Sequence, residues 1–132
     1  MNLFFYVPRP EGRRDELLSA VAPFVSGGSL EVFADIGSFG ARVRRPKDAL
    51  SIALIWNPTK EELQEIVLMR DFLVGVHTLL ALPNQEADMI ALAHRIFPTY
   101  ITYIDGGISE IVSVLERLTR AGRAAPARRA RL

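Results

Sequence analysis

The chain of 132 residues contains no cysteine, which excludes a disulfide framework, a thiol nucleophile and a cysteine metal site. It has two histidines, His77 and His94, and neither has a second histidine or a carboxylate at a convincing ligand spacing. No serine lies in a Gly-x-Ser-x-Gly turn, and no Gly-x-Gly-x-x-Gly follows the first apolar run, which argues against a serine hydrolase and a dinucleotide-binding domain. We therefore expect no bound metal, no cofactor and no enzymatic activity.

Long hydrophobic runs are also missing. No stretch approaches the roughly 18 uncharged apolar residues that a membrane-spanning helix needs. The apolar run at the N-terminus stops at Pro8, without a basic segment before it or a small-residue cleavage site after it, so we do not expect it to be a signal peptide. These absences predict a soluble, cytoplasmic protein with no membrane contact.

The net charge of +1 conceals an uneven distribution. Residues 123–132 hold four arginines and no acid, so the rest of the chain carries a net charge of −3. An acidic body argues against a nucleic-acid-binding domain, with only weak contact expected through the arginine-rich tail. Composition predicts one domain over residues 1–120, followed by a basic Ala/Pro/Arg-rich tail over residues 121–132 that we expect to be disordered.

Five apolar or β-branched runs predict strands, at Leu3–Val7, Leu30–Ala34, Ser51–Trp56, His77–Leu82 and Tyr100–Ile104. Segments with helical periodicity separate them. The first, third and fourth runs show little polar alternation, as expected where helices cover both faces of a parallel sheet. The sequence thus predicts an α/β fold: a flavodoxin-like, doubly wound five-stranded parallel sheet in the strand order 2-1-3-4-5, with helices on both faces.

Several local signals place the helix ends. Thr59 and Glu62 have the spacing of a capping box, and Pro23 should kink or end the first helix. Asn84 is expected to cap the fourth helix. The positions expected to face inward on the fourth and last helices are Ala87, Ile90, Ala93 and Phe97, and Val112, Leu115 and Leu118.

Two stretches carry a resemblance to a known family. The strand and helix of Tyr100–Leu118, YITYIDGGISEIVSVLERL, and the segment Leu79–Ala93, LLALPNQEADMIALA, resemble the last two β-α units of response-regulator receiver domains. The resemblance spans residues 2 to about 120 and rests on architecture and hydrophobic spacing. It implies a non-enzymatic signalling module.

The residues that perform the chemistry of that family are absent here. A working receiver has an acid pair for Mg²⁺ at the end of its first strand, where this chain has Val7–Arg9. The phosphoacceptor Asp of the family corresponds to Asn57, and the switch Ser or Thr corresponds to Ala81–Leu82. The Lys that would pair with the phosphate after the fifth strand is replaced by Ile104 or Asp105. The chain therefore resembles a pseudo-receiver that cannot be phosphorylated.

The carboxyl edge of the predicted sheet offers two alternative readings. Asn57 is either a degenerate phosphoacceptor position facing a ligand crevice or a turn residue before a helix. Arg13 and Arg14, near the start of the first helix, could hold an anion. An alternative function is therefore a small-ligand or anion binder that uses this crevice.

The leading hypothesis is binding of a protein partner, with a homodimer as one form. In the family, the face built from the fourth helix, fifth strand and fifth helix commonly makes such contacts, and here it would use Tyr100, Tyr103, His94 and Arg95. Trp56 is expected in the core in preference to an exposed anchor.

The remaining charged clusters are expected to be exposed to solvent without a functional role. The set Glu61, Glu62 and Glu65 is expected on an exposed helix face, and Arg42, Arg44, Arg45 and Lys47 in a solvated loop.

Overall fold

A computed structural model describes residues 2–8, 14–25, 28–45 and 50–131, with side chains described as far as residue 120. The strands are β1 (Asn2–Tyr6), β2 (Ser29–Phe33), β3 (Ser51–Trp56), β4 (His77–Leu82) and β5 (Tyr100–Tyr103). The α-helices are α1 (Arg14–Val21), α2 (Ile36–Val43), α3 (Lys60–Leu68), α4 (Ala87–Arg95) and α5 (Gly107–Arg131). Short 3-10 helices at Ala22–Val25 and Arg70–Leu73 follow α1 and α3.

The strands form one parallel sheet in the order β2-β1-β3-β4-β5. This confirms the predicted doubly wound α/β topology. Each strand is followed by a helix that returns to the opposite edge, so all strands end at one edge, here called the carboxyl edge, and begin at the other, the amino edge.

Alternate residues of each strand enter two separate apolar cores. On β3, Ala53 and Ile55 face the core under α2, α3 and α4, whereas Ile52, Leu54 and Trp56 face the core under α1 and α5. All six residues of β3 are buried. Burial on both faces explains why β3 lacks polar alternation, and the 3% exposure of Trp56 confirms its place in the core.

The helix starts follow local chemistry. The Thr59 hydroxyl accepts a hydrogen bond from the Glu62 N–H at 3.1 Å, and the Glu62 carboxylate accepts from the Thr59 N–H at 2.7 Å, which confirms the capping box. Asp35 caps α2 by accepting from the Ser38 N–H at 2.8 Å. The α-helical part of α1 ends at Val21, two residues before Pro23, as the proline predicts.

The predicted cap of α4 is wrong. The N-cap position is Glu86, which makes no side-chain cap bond, while the Asn84 Oδ1 accepts from the Glu86 N–H at 3.0 Å. Asn84 therefore closes a turn that precedes the helix by two residues.

The inward placement of Phe97 is also wrong. Phe97 is 82% exposed and has a φ of 56°, because the chain leaves α4 in the left-handed conformation at this residue. The periodicity of a helix does not predict which way a side chain points once the chain has left the last turn of that helix. Met89 and Ala93 supply the buried positions of α4, whereas the predicted Ala87 is exposed and Ile90 half-buried.

The buried stripe of α5 differs in phase from the prediction. Of the predicted positions only Leu115 is buried, with Val112 and Leu118 half-buried, and the stripe consists of Ile108, Ile111, Val114 and Leu115. The helix starts at Gly107. The side chains of residues 121–132 lie outside the described set, so disorder of this tail stays a prediction.

No helix among the described residues is long and apolar enough to cross a membrane.

The conformation of Phe97 can be tested by a matched pair of substitutions. Phe97→Gly and Phe97→Ala remove the same exposed ring, but only glycine relieves the left-handed backbone. We expect Phe97→Gly to have the larger free energy of unfolding, by about 1 kcal/mol, in urea denaturation. Equal values, or a more stable alanine variant, would show that Phe97 carries no backbone strain.

Candidate functional site

The carboxyl edge is the first place to look for function, since ligands of doubly wound sheets bind where the strands end. Asn57 follows the central strand β3 at this edge, between the buried residues Trp56 and Pro58. Its φ is 56°, and its backbone N–H donates to the Ala81 carbonyl at 2.8 Å. Asparagine tolerates the left-handed conformation better than most residues, so the turn alone gives a physical reason for Asn at this position.

The end of β1 carries a buried phenol. The Tyr6 side chain has no exposed surface, its hydroxyl donates a short hydrogen bond to the Glu62 carboxylate, and its ring packs against Phe39 with centroids 5.5 Å apart. The other Glu62 oxygen belongs to the capping box with Thr59. Glu62 thus links the end of β1 to the start of α3. In working receiver domains, this edge of the sheet binds Mg²⁺.

Glu62 was expected on an exposed acidic face, and that interpretation is wrong for this residue, although Glu61 and Glu65 are exposed. The contact with Tyr6 spans 56 residues of sequence. A tyrosine at the end of an apolar strand was the available signal, because a buried hydroxyl requires a hydrogen-bond partner.

Other carboxylates at this edge also have structural partners. Hydrogen bonds from the Ser38 backbone N–H and hydroxyl lower the pKa of Asp35, because both donors favour the charged form. The hydrogen bond and attraction between Lys60 and Asp88, 2.9 Å apart, raise the pKa of Lys60 and lower that of Asp88. No cluster of three His, Cys, Asp or Glu side chains suited to a metal ion occurs in the described part of the chain.

The two predicted anion-binding arginines have different outcomes. Arg13 lies outside the described residues. Arg14 is the first residue of α1, and its Nε is buried without a hydrogen-bond partner within the described structure. An anion could satisfy this N–H, but anion binding by Arg13 and Arg14 stays a prediction.

The predicted partner-binding residues lie around the edge strand β5. Tyr100 and Tyr103 project to opposite faces of the sheet, since Tyr100 packs against the core under α1 and α5 and Tyr103 against the other core. His94 and Arg95 are exposed in the last turn of α4. The four residues therefore do not form one flat patch, but flank the strand from both sides.

Tyr100 is held by α5. Its hydroxyl donates to the Glu110 carboxylate at 2.8 Å, and the Thr102 hydroxyl donates to the same oxygen at 2.7 Å. The two hydrogen bonds, that of Thr102 first, lower the pKa of Glu110. The hydrogen bond to this carboxylate, and then partial burial, raise the pKa of the Tyr100 phenol.

The arginine cluster differs from the solvated loop that was expected. Arg42 lies in α2, and its Nε donates to both carboxylate oxygens of Glu31 at 3.1 and 2.9 Å while its guanidinium covers the Phe4 ring at 4.4 Å. Arg44 lies over the Phe72 ring at 5.2 Å. Arg45 is exposed, and Lys47 lies outside the described residues.

Comparison with known proteins shows the fold of this chain but does not assign the chain to a family. No family model and no curated protein matches this chain. Among solved structures, it resembles a response regulator receiver domain protein from Methanospirillum hungatei, with a TM-score of 0.72, 9% sequence identity and coverage of 94% of this chain and 97% of that one. The chain has a receiver-like fold.

A second solved structure has a similar fold. It is a putative pilus assembly-related protein from Burkholderia pseudomallei K96243, with a TM-score of 0.67, 15% identity and coverage of 91% of this chain and 90% of that one. At these identities the receiver-like likeness extends to the backbone architecture alone, so the residues of each site must be judged by their own chemistry.

The contact between Tyr100 and Glu110 predicts a specific titration. Because the folded pKa of Tyr100 is raised, its protonated form contributes stability that is present below the ordinary tyrosine value of about 10 and is lost as pH rises through the raised pKa. Glu110→Gln keeps an acceptor oxygen but removes the charge, so we expect the pKa of Tyr100 to fall when followed by NMR. The control Glu116→Gln alters an exposed acid on the same helix and should leave it unchanged. A Tyr100 pKa that is insensitive to Glu110→Gln would contradict this contact.

Proposed function

We propose that this chain is a receiver-like signalling module that is not phosphorylated and that acts by binding a protein partner. The face for this contact is formed by α4, β5 and the described part of α5. Receiver-like folds are generally non-enzymatic signalling domains, so a protein partner is the natural starting point.

The observation that carries the proposal is the chemistry around Asn57. A phosphoacceptor needs a carboxylate nucleophile beside a metal-bound phosphodonor, and an amide supplies neither a nucleophilic oxygen of that kind nor negative charge for Mg²⁺. The neighbouring strand β1 ends at Tyr6 and is followed by Val7, and neither residue brings a carboxylate. Glu62, which approaches this place, already accepts bonds from Tyr6 and from the Thr59 N–H.

The likeness to the two structural neighbours extends to the backbone alone and does not itself choose between protein binding and phosphoryl chemistry. One is described as a response regulator receiver domain protein, and the other as a putative pilus assembly-related protein. The same backbone thus occurs in proteins described in different terms. Contact with another protein is the activity we carry over to this chain, without a named partner or process.

The edge strand β5 supports the choice of face. It pairs with β4 on one side only, so the backbone groups on its other side face away from the sheet. The half-buried Tyr103 and the exposed Arg95 lie on the α4 side of this edge. Tyrosine and arginine are the side chains that most often dominate protein interfaces.

Sedimentation velocity over a range of concentrations tests the homodimeric form of this contact. We expect the wild-type chain to self-associate and Tyr103→Ala to weaken the association by about tenfold or more, as for an interface aromatic. The control Val32→Ala trims a partly exposed residue on β2, at the opposite edge of the sheet, and should leave association unchanged. Circular dichroism melting must show that both variants remain folded.

A wild-type chain that stays monomeric throughout would contradict the homodimer. Association that Tyr103→Ala leaves at the wild-type strength would contradict the proposed face.

A further inference from the structure

The amino edge of the sheet carries three exposed apolar side chains, next to the half-buried Val76 and the buried Ile96. Val74 is 80% exposed, Phe97 82% and Phe72 43%. They lie on the connections that lead into β4 and β5, which are neighbouring strands, so the topology brings them to the same place. We call the set Phe72, Val74, Val76, Ile96 and Phe97 the amino-edge patch.

A depression lies within this patch. Its volume is about 330 Å³, and its lining includes Val74, Val76, Ile96 and Phe97 together with Arg70 and Asp71. The depression has room for apolar side chains of a partner, and exposed apolar surface around a concavity is typical of a docking site.

Phe97 gives a second reason to assign a binding role. A bulky residue seldom adopts a positive φ, and glycine is the usual choice just after a helix. Here an aromatic residue occupies that conformation and also exposes its ring to water. The positive φ disfavours the folded chain, and the exposed ring contributes no burial in return, so a partner that covers the ring would account for both features.

The rim of the patch is predominantly cationic. Arg70 and Asp71 line the depression, Arg95 directly precedes Ile96 on the chain, and the Arg44 guanidinium lies over the Phe72 ring. Arg70 and Arg95 are exposed and form no salt bridge with the described residues. Three arginines against one aspartate make the rim complementary to negative charge.

We infer that the amino-edge patch binds an acidic amphipathic segment of a partner protein. Apolar side chains of that segment enter the depression beside Phe97 and Val74, and its flanking carboxylates pair with Arg70 and Arg95. This surface goes beyond the proposed function, because it lies at the starts of β4 and β5 and does not use Tyr100 or Tyr103; the two surfaces share Arg95.

Selection from a displayed library of random short peptides tests the inference, with the wild-type chain as bait. We expect the enriched peptides to combine aromatic or aliphatic residues with a net negative charge. Their affinity, measured by fluorescence anisotropy, should fall about tenfold or more with Phe97→Gly, as for loss of an interface anchor. The double variant Arg70→Glu, Arg95→Glu should weaken binding and remove most of its dependence on salt.

Two controls separate binding from folding. Leu68→Ser alters another apolar residue that is 80% exposed but does not line the depression, and it should leave affinity unchanged. Phe97→Gly relieves the positive φ, so it should retain a melting temperature at least equal to that of Phe97→Ala, while both lose binding.

Several results would overturn the inference. These are failure to enrich any peptide, enrichment of neutral or basic peptides, or binding that survives Phe97→Gly. Self-association that Phe97→Gly abolishes would identify a second copy as the occupant, and Phe97-dependent binding to phosphatidylglycerol vesicles would identify a membrane surface. If Phe97→Gly abolishes peptide binding while Tyr103→Ala still weakens self-association as expected above, this surface is separate from the face proposed above.

Discussion

Burial of β3 on both faces is the constraint on which the rest of the molecule depends. Its six residues alternate between two apolar cores, so no side chain of the strand itself reaches solvent to act as a chemical group. Polar chemistry is thereby confined to the residues just beyond the strand ends. At the carboxyl edge the first such residue is Asn57, whose left-handed conformation is required for the chain to turn into α3.

The same constraint explains the carboxylates at that edge. Each helix that follows a strand starts there with unsatisfied N–H groups and a partial positive charge, which favour acidic or hydroxyl side chains. Asp35 and Glu62 satisfy such groups at the starts of α2 and α3, and Glu62 additionally receives the buried Tyr6 hydroxyl. An acidic carboxyl edge is therefore accounted for by helix capping and by one buried contact, without a metal or a phosphoryl group.

The sequence predicted the topology well because its signals are local or periodic. The bounds of β3 and β4 follow from runs of apolar residues, the capping box from two side chains three positions apart, and the early end of α1 from one proline. It failed where distant parts of the chain meet, as for Tyr6 with Glu62 and Arg42 with Glu31. It also failed at Phe97, because a periodic pattern cannot report the backbone conformation that ends a helix. Of the candidate site, the position of Asn57 was predictable, whereas its positive φ was not.

The two edges of the sheet differ in their chemistry. Asp35, Glu62 and Asp88 at the carboxyl edge have partners. The amino edge exposes Val74 and Phe97, and the arginines beside them, Arg70 and Arg95, form no salt bridge with the described residues. This division is in keeping with the proposal that the domain makes contacts with a partner and does not take part in phosphoryl transfer. The face around β5 and the amino-edge patch would then be two separate surfaces for recognition of other proteins.

The most direct measurement is the intact mass of the chain after incubation with acetyl phosphate and Mg²⁺. The account predicts no phosphoryl adduct on the wild-type chain. It predicts none on Asn57→Asp either, since that variant restores an acceptor carboxylate while β1 still ends without the acids that would hold Mg²⁺. A stoichiometric adduct on an acidic residue of the wild-type chain would contradict the account.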